Sequence, residues 1–213
     1  MVLGTVHLGV SLRIATVVVP VALYFLILGL LNSRRSPQLL RGRRDFALMI
    51  AALGPLFLVP LLGWVQSPHV ALTVLGLAAA AAFALLAPPR ASWVIYNIEP
   101  AEAARAVAGA LRDAGLAFRE ADGGFCLSGG DGAVRLSPFP LLRNVSVRMT
   151  AADRDTARRF ESALTGRVHS VPAETTPMAM ALLLVATAML VAPLAMVAPR
   201  AGEIVRILTG MLY

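Results

Sequence analysis

Lysine is missing altogether: each of the 19 basic residues is arginine, a bias that together with the abundant alanine reflects a GC-rich bacterial genome. Cysteine occurs once, at Cys126, which excludes an internal disulfide and a multi-cysteine metal site. Charge is scarce as well. Charged residues make up 15% of the 213 positions, against about 25% in soluble domains, while 58% are hydrophobic. That composition excludes a soluble globular protein over most of the length and predicts a membrane protein. No Asp, Glu or Arg interrupts the interiors of the long apolar runs, so a proton or ion pathway is not expected, and a transporter or channel is the least favoured function.

What is present begins with those runs. Residues 14–31 include twelve Leu, Ile, Val or Phe, which favour insertion by roughly 5 kcal/mol on a biological scale. A retained anchor is predicted rather than a signal peptide, because the basic cluster follows the run instead of preceding it. Residues 46–65, 70–87 and 178–198 give three further spans, the second containing Gly54-Pro55 and Pro60, the last Pro193. Between the first two lies an arginine-rich stretch, 32–45, in which Arg34, Arg35, Arg41, Arg43 and Arg44 face a single Asp45. Positive loops stay in the cytoplasm, so these five are the topology determinants. They place both termini outside a bacterial inner membrane and residues 90–176 inside, and they can also meet anionic lipid headgroups. The third span is alanine-rich and presents Gly76, Ala80 and Ala84 at four-residue spacing, a face on which another helix can approach closely. Span two, joined by the tight turn 66–69, is the nearest partner; another subunit is the alternative.

Residues 90–176 read as one small α+β domain set between membrane spans. A strand at 93–98 precedes a helix opened by Pro100 and closed near Gly115, with Ala104, Val107, Ala108 and Leu111 on its buried face. A hairpin at 117–121 and 125–128 turns on Asp122-Gly123-Gly124, and strands follow at 133–137 and 143–149. Pro138-Phe139-Pro140 ends the first of these, since two prolines do not sit in a central ladder. Thr150 with Asp153 forms a capping box for a helix that buries Ala157, Phe160 and Leu164 and stops at Gly166. The order, taken as β-α-β-β-β-α, gives the fold class expected here: a membrane all-α protein of four helices carrying a small cytoplasmic α+β sandwich of ferredoxin-like type, both helices on one face.

Chemistry is hard to place. The predicted topology sets His7 and His69 outside and His169 inside, so no shared metal is expected, and the glycine-rich turns lack the Lys-Ser/Thr and the following helix of a phosphate loop. Cys126 falls in a strand away from His169. No catalytic residue, cofactor or metal is therefore expected. One surface stands out: with Val134, Leu136, Val145 and Val147 toward the helices, Arg119, Arg135 and Arg148 fall with Ser137, Asn144 and Ser146 on the other sheet face. Eleven arginines against ten acids between residues 90 and 176 make this no nucleic-acid binder, and the central strands lack stacking aromatics. The expected function is a non-enzymatic accessory, scaffold or assembly subunit of an inner-membrane complex, such as a respiratory or photosynthetic one. Its partners are the lipid bilayer and other membrane subunits, with anionic headgroups as a further contact. The alternative is a membrane-anchored module that senses a small ligand. An amphipathic external tail with Ile204, Ile207, Leu208, Met211 and Leu212 completes the expectations.

Overall fold

The computed structural model describes residues 2–64, 67–128, 132–198, 202 and 209. Gln66 of the turn between spans two and three, the Gly129-Gly130-Asp131 turn and nearly all of the amphipathic tail lie outside the described residues, as does the side chain of His7. Four of the described helices are long and apolar enough to cross a membrane. They are α1 (Val2–Ser33), α2 (Gly42–Trp64), α3 (Pro68–Leu86) and α6 (Pro177–Val197), with spanning stretches Ile14–Ser33, Gly42–Leu61, His69–Leu86 and Pro177–Ala195. Pro20, Pro55, Pro60 and Pro193 all remain inside helices, as membrane helices permit. Leu23, Phe57, Leu72, Leu77, Leu184 and Leu194 are exposed on these helices, a pattern compatible with a lipid-facing surface.

The chain forms two compact units: Met1–Leu26, Met49–Ala81 and Leu182–Tyr213 in one, Ile27–Leu48 and Ala82–Ala181 in the other. The second unit is built on a six-stranded, wholly antiparallel sheet in the order β1-β2-β6-β5-β4-β3. Its strands are β1 (Gln38–Arg41), β2 (Ser92–Tyr96), β3 (Phe118–Ala121), β4 (Gly124–Leu127), β5 (Ala133–Phe139) and β6 (Asn144–Met149). Helix α4 (Pro100–Asp113) follows β2, and α5 (Arg154–His169) follows β6. Trp93 and Ile95 of β2, Phe125, Val134, Val145 and Val147 form one core with Val107 and Leu111 of α4 and Phe160, Leu164 and Val168 of α5. Both helices therefore lie on one sheet face, as alternation along 144–149 implies.

Three departures from the sequence expectation have physical causes. First, the sheet has six strands: the five segments read from residue 93 onward are all present, one more than the order β-α-β-β-β-α counts, and the sixth, β1, comes from the arginine-rich stretch. Leu39 and Leu40 pair with Ile95 and Val94, so part of that stretch is a sheet edge. The topology is also no ferredoxin-like split, because β3, β4, β5 and β6 run as a meander and α4 carries the chain from β2 to the far edge. Second, α2 begins at Gly42, which moves Arg43, Arg44 and Asp45 into its first turn. Third, β5 continues through Pro138, which pairs with Val145. The β4 ladder ends where Gly124 pairs with Arg135, so Pro138 has no neighbour to which it would donate. Gly124 itself admits no side chain, since a Cβ there would lie 2.0 Å from the carbonyl oxygen of Val134.

Helix α5 is capped by Asp153, whose Oδ1 accepts from the Thr156 amide at 2.6 Å. Thr150 instead bonds to the backbone of Ala133. The helix runs through Gly166 to His169. Near its end, Arg167 donates to both carboxylate oxygens of Asp113 at 2.7 and 2.8 Å, tying α5 to α4. That guanidinium holds the Asp113 carboxyl below the usual carboxylate range. A depressed carboxylate stabilises the fold above the ordinary carboxylate pKa and loses that contribution as pH falls through its lowered value. The difference in thermal midpoint between the protein and Arg167→Gln is therefore expected to be present at neutral pH and to vanish in acid. A pH-independent difference would mean that the pair acts by packing alone.

Candidate functional site

Two surfaces of the second unit merit attention, and β2 connects them. On the helix-free face, strand register sets Arg135 directly opposite Arg148 and Ser137 opposite Ser146, while Arg119 lies two strands beyond β5, on β3, paired with Cys126 of β4. The three arginines and Ser146 are exposed, whereas Asn144 is buried and contributes no free surface. Like charges directly opposite on neighbouring strands repel. Three other arginines of the unit are ion-paired: Arg41 with Glu161, Arg167 with Asp113 and Arg143 with Glu99. Among the described residues neither Arg135 nor Arg148 makes an ion pair. Phe139 and Leu141, 52% and 62% exposed, add an apolar ridge at the end of β5.

The second surface is a cleft of about 500 Å³ at the β1 side of the sheet. Arg41, Arg43, Arg44, Arg90, Arg154 and Arg158 line it, with Asp153 and Glu161 as its two carboxylates. Three chain segments converge there: the β1–α2 junction, the residues that leave α3, and the first turns of α5. Both carboxylates are engaged within the fold. Glu161 receives Nε and Nη2 of Arg41 at 2.6 and 2.9 Å, and Asp153 caps its own helix. Arg43 lies over the Phe83 ring, 5.5 Å from its centre, and its buried Nε has no hydrogen-bond partner. Trp93 also lines the cleft; it is 2% exposed, stacks edge-on against Phe160, and its indole N–H has no acceptor.

The end of β2 and the segment after α5 are bonded to residues at the ends of α1 and α2. Tyr96 donates its hydroxyl to Asp45 of α2. Asn97, in the left-handed region at φ 58°, donates its amide to the Arg34 carbonyl at 3.0 Å, a backbone conformation in which asparagine is enriched. Ala173 bonds similarly to the Arg35 carbonyl. The five arginines expected to set topology thus also build the site: Arg41 is in β1, Arg43 and Arg44 line the cleft, and the carbonyls of Arg34 and Arg35 accept from the sheet unit.

Remaining sequence candidates fall elsewhere. Gly76, Ala80 and Ala84 are all exposed on α3, and a Cβ at Gly76 would meet nothing within 4 Å, so this face packs against no part of the described chain. His69 is exposed at the start of α3, His169 ends α5, and Cys126 is exposed in β4. The Gly123-Gly124 turn borders a separate groove of about 570 Å³ with Arg105 and Arg112 of α4. Among the described residues no group of three His, Cys, Asp or Glu could hold a metal ion. Sequence reasoning missed the cleft as a unit, because its arginines come from segments joined only by the register of β1. No protein-family model, curated protein or solved structure matches the chain.

Proposed function

We propose that the protein is a non-enzymatic, multi-pass accessory or scaffold subunit of a bacterial inner-membrane complex, which holds its α+β unit at the cytoplasmic surface for contact with partner subunits. The observation that carries this reading is the Arg135–Arg148 pair, exposed and directly opposed across β5 and β6 without an ion-pair partner among the described residues. Its mutual repulsion is relieved by an acidic surface from outside the chain. The adjoining exposed Phe139 and Leu141 supply the apolar anchors that an interface centre needs. Membrane placement is supported by the four long apolar helices, and the cytoplasmic side by the arginine-rich stretch between the first two.

Arg135→Glu with Arg148→Glu is expected to leave the thermal midpoint within a few degrees, because both side chains are exposed, and to release partner subunits that co-purify with the unaltered protein in mild detergent. Retention of the same subunits by the double variant would sink the reading.

A further inference from the structure

We propose that the arginine-lined cleft between β1, the start of α2 and the N-terminus of α5 is a binding site for a phosphate group, carried either by a lipid headgroup or by a soluble phosphate compound. Six guanidinium groups against two carboxylates leave the lining strongly positive, and both carboxylates are already committed, one to Arg41 and one to the α5 cap. Arg154 and Arg158 are the telling residues. They are exposed, one turn apart, at the end of α5 where the backbone N–H groups already give a partial positive charge. The helix dipole and the i,i+4 spacing both work against this placement, and the flanking Asp153 and Asp155 offset them only in part, since Asp153 is engaged as the cap. An anion in the cleft reverses both terms. Phosphate fits better than a carboxylate, because its several oxygens match the planar fork of arginine from more than one direction.

An independent observation comes from Trp93. Trp93 borders the cleft at 2% exposure and its indole N–H has no acceptor among the described residues, although tryptophan N–H groups ordinarily find a partner when buried. The unsatisfied donor adds to the positive character of the lining, and nothing among the described residues offsets it. The level of the cleft suits a headgroup, since Arg43 and Arg44 lie in the first turn of a spanning helix and Arg90 shortly follows another. A free phosphate compound would reach it from the aqueous side. The site does not depend on the scaffold reading, and the two can fail separately.

The test uses the full chain and follows its thermal midpoint. In one arm the protein is in neutral detergent and inorganic pyrophosphate is titrated. In the other it is in phosphatidylcholine nanodiscs with rising fractions of phosphatidylglycerol. A saturable rise in midpoint is expected in at least one arm. A rise with pyrophosphate identifies a soluble ligand class, and a rise confined to phosphatidylglycerol identifies a headgroup. In Arg154→Gln with Arg158→Gln, the half-saturating level is expected to increase by about a hundredfold, roughly tenfold for each charge-assisted bond lost. The midpoint of this variant without phosphate should be no lower than that of the unaltered protein, an outcome a merely structural role would not give. Arg105→Gln with Arg112→Gln on α4 removes the same charge away from the cleft and should leave the response unchanged. No saturable rise in either arm, or an equal loss of response in both double variants, would overturn the proposal.

Discussion

Phe160→Ala is expected to destabilise the sheet unit severely while leaving the four long apolar helices intact. Phe160 is fully buried, the first of three α5 residues, with Leu164 and Val168, that dock on the sheet. Its ring lies 5.3 Å from that of Trp93 in an edge-on arrangement, so truncation removes both buried area and an aromatic contact. Phenylalanine-to-alanine changes in cores cost about 3–5 kcal/mol. Domains of this size have about 5–15 kcal/mol in total, so the loss consumes a large part of what holds the unit together. With about 4–8 °C of midpoint per kcal/mol in a domain of 60–100 residues, the shift is at least ~12 °C. Limited proteolysis in detergent would report it as rapid cleavage within residues 90–176. Arg159→Ala, an exposed neighbour on the same helix, should change neither quantity. Equal protease resistance of Phe160→Ala and the unaltered protein would show that α5 is held by something other than this core.

The legibility of these features in the sequence follows the length of the signal each one leaves. An apolar run of eighteen or more residues needs no long-range partner to declare itself, which is why all four spans were readable. Phe160, Leu164 and Val107 were readable for a related reason, since helical periodicity is local. Alternation from Asn144 to Met149 likewise placed Arg148 on the face away from the helices, yet not opposite Arg135, because register is set by pairing and not by composition. β1 shows the limit. Four residues hold only two alternations, its partner lies about fifty positions downstream, and its setting among arginines already had a topogenic explanation. The one available signal was the pair Leu39-Leu40, an apolar interruption without cause in a purely solvated loop. Without β1 the cleft is out of reach of the sequence, because Arg41 and Arg43 meet Arg154 and Arg158 only when that edge strand is in place.

The same edge strand leads to the second large effect: residues 90–176 expressed alone should fail to form a stable monomer, although they hold both short helices and five of six strands. Without β1, the backbone of β2 loses its partner from Trp93 to Tyr96, and an unpaired hydrophobic edge invites association with other chains. The loss reaches the core as well. Leu39 packs on it, Arg41 ties β1 to Glu161 of α5, and Tyr96, 2% exposed, leans on Asp45. Burying one large apolar side chain is worth about 1.5–3 kcal/mol, so partial exposure of Trp93, Ile95 and Tyr96 together removes a stabilisation comparable with that of the whole unit. Joining residues 33–45 ahead of 90–176 through a short Gly/Ser linker restores the missing strand, since β1 and β2 are antiparallel neighbours. The joined chain should melt cooperatively as a monomer, whereas the shorter one should aggregate or melt without a transition. A cooperative melt of 90–176 at the midpoint of the joined chain would mean that β1 lies on a sheet already complete, and the arginine cleft would then rest on a dispensable edge.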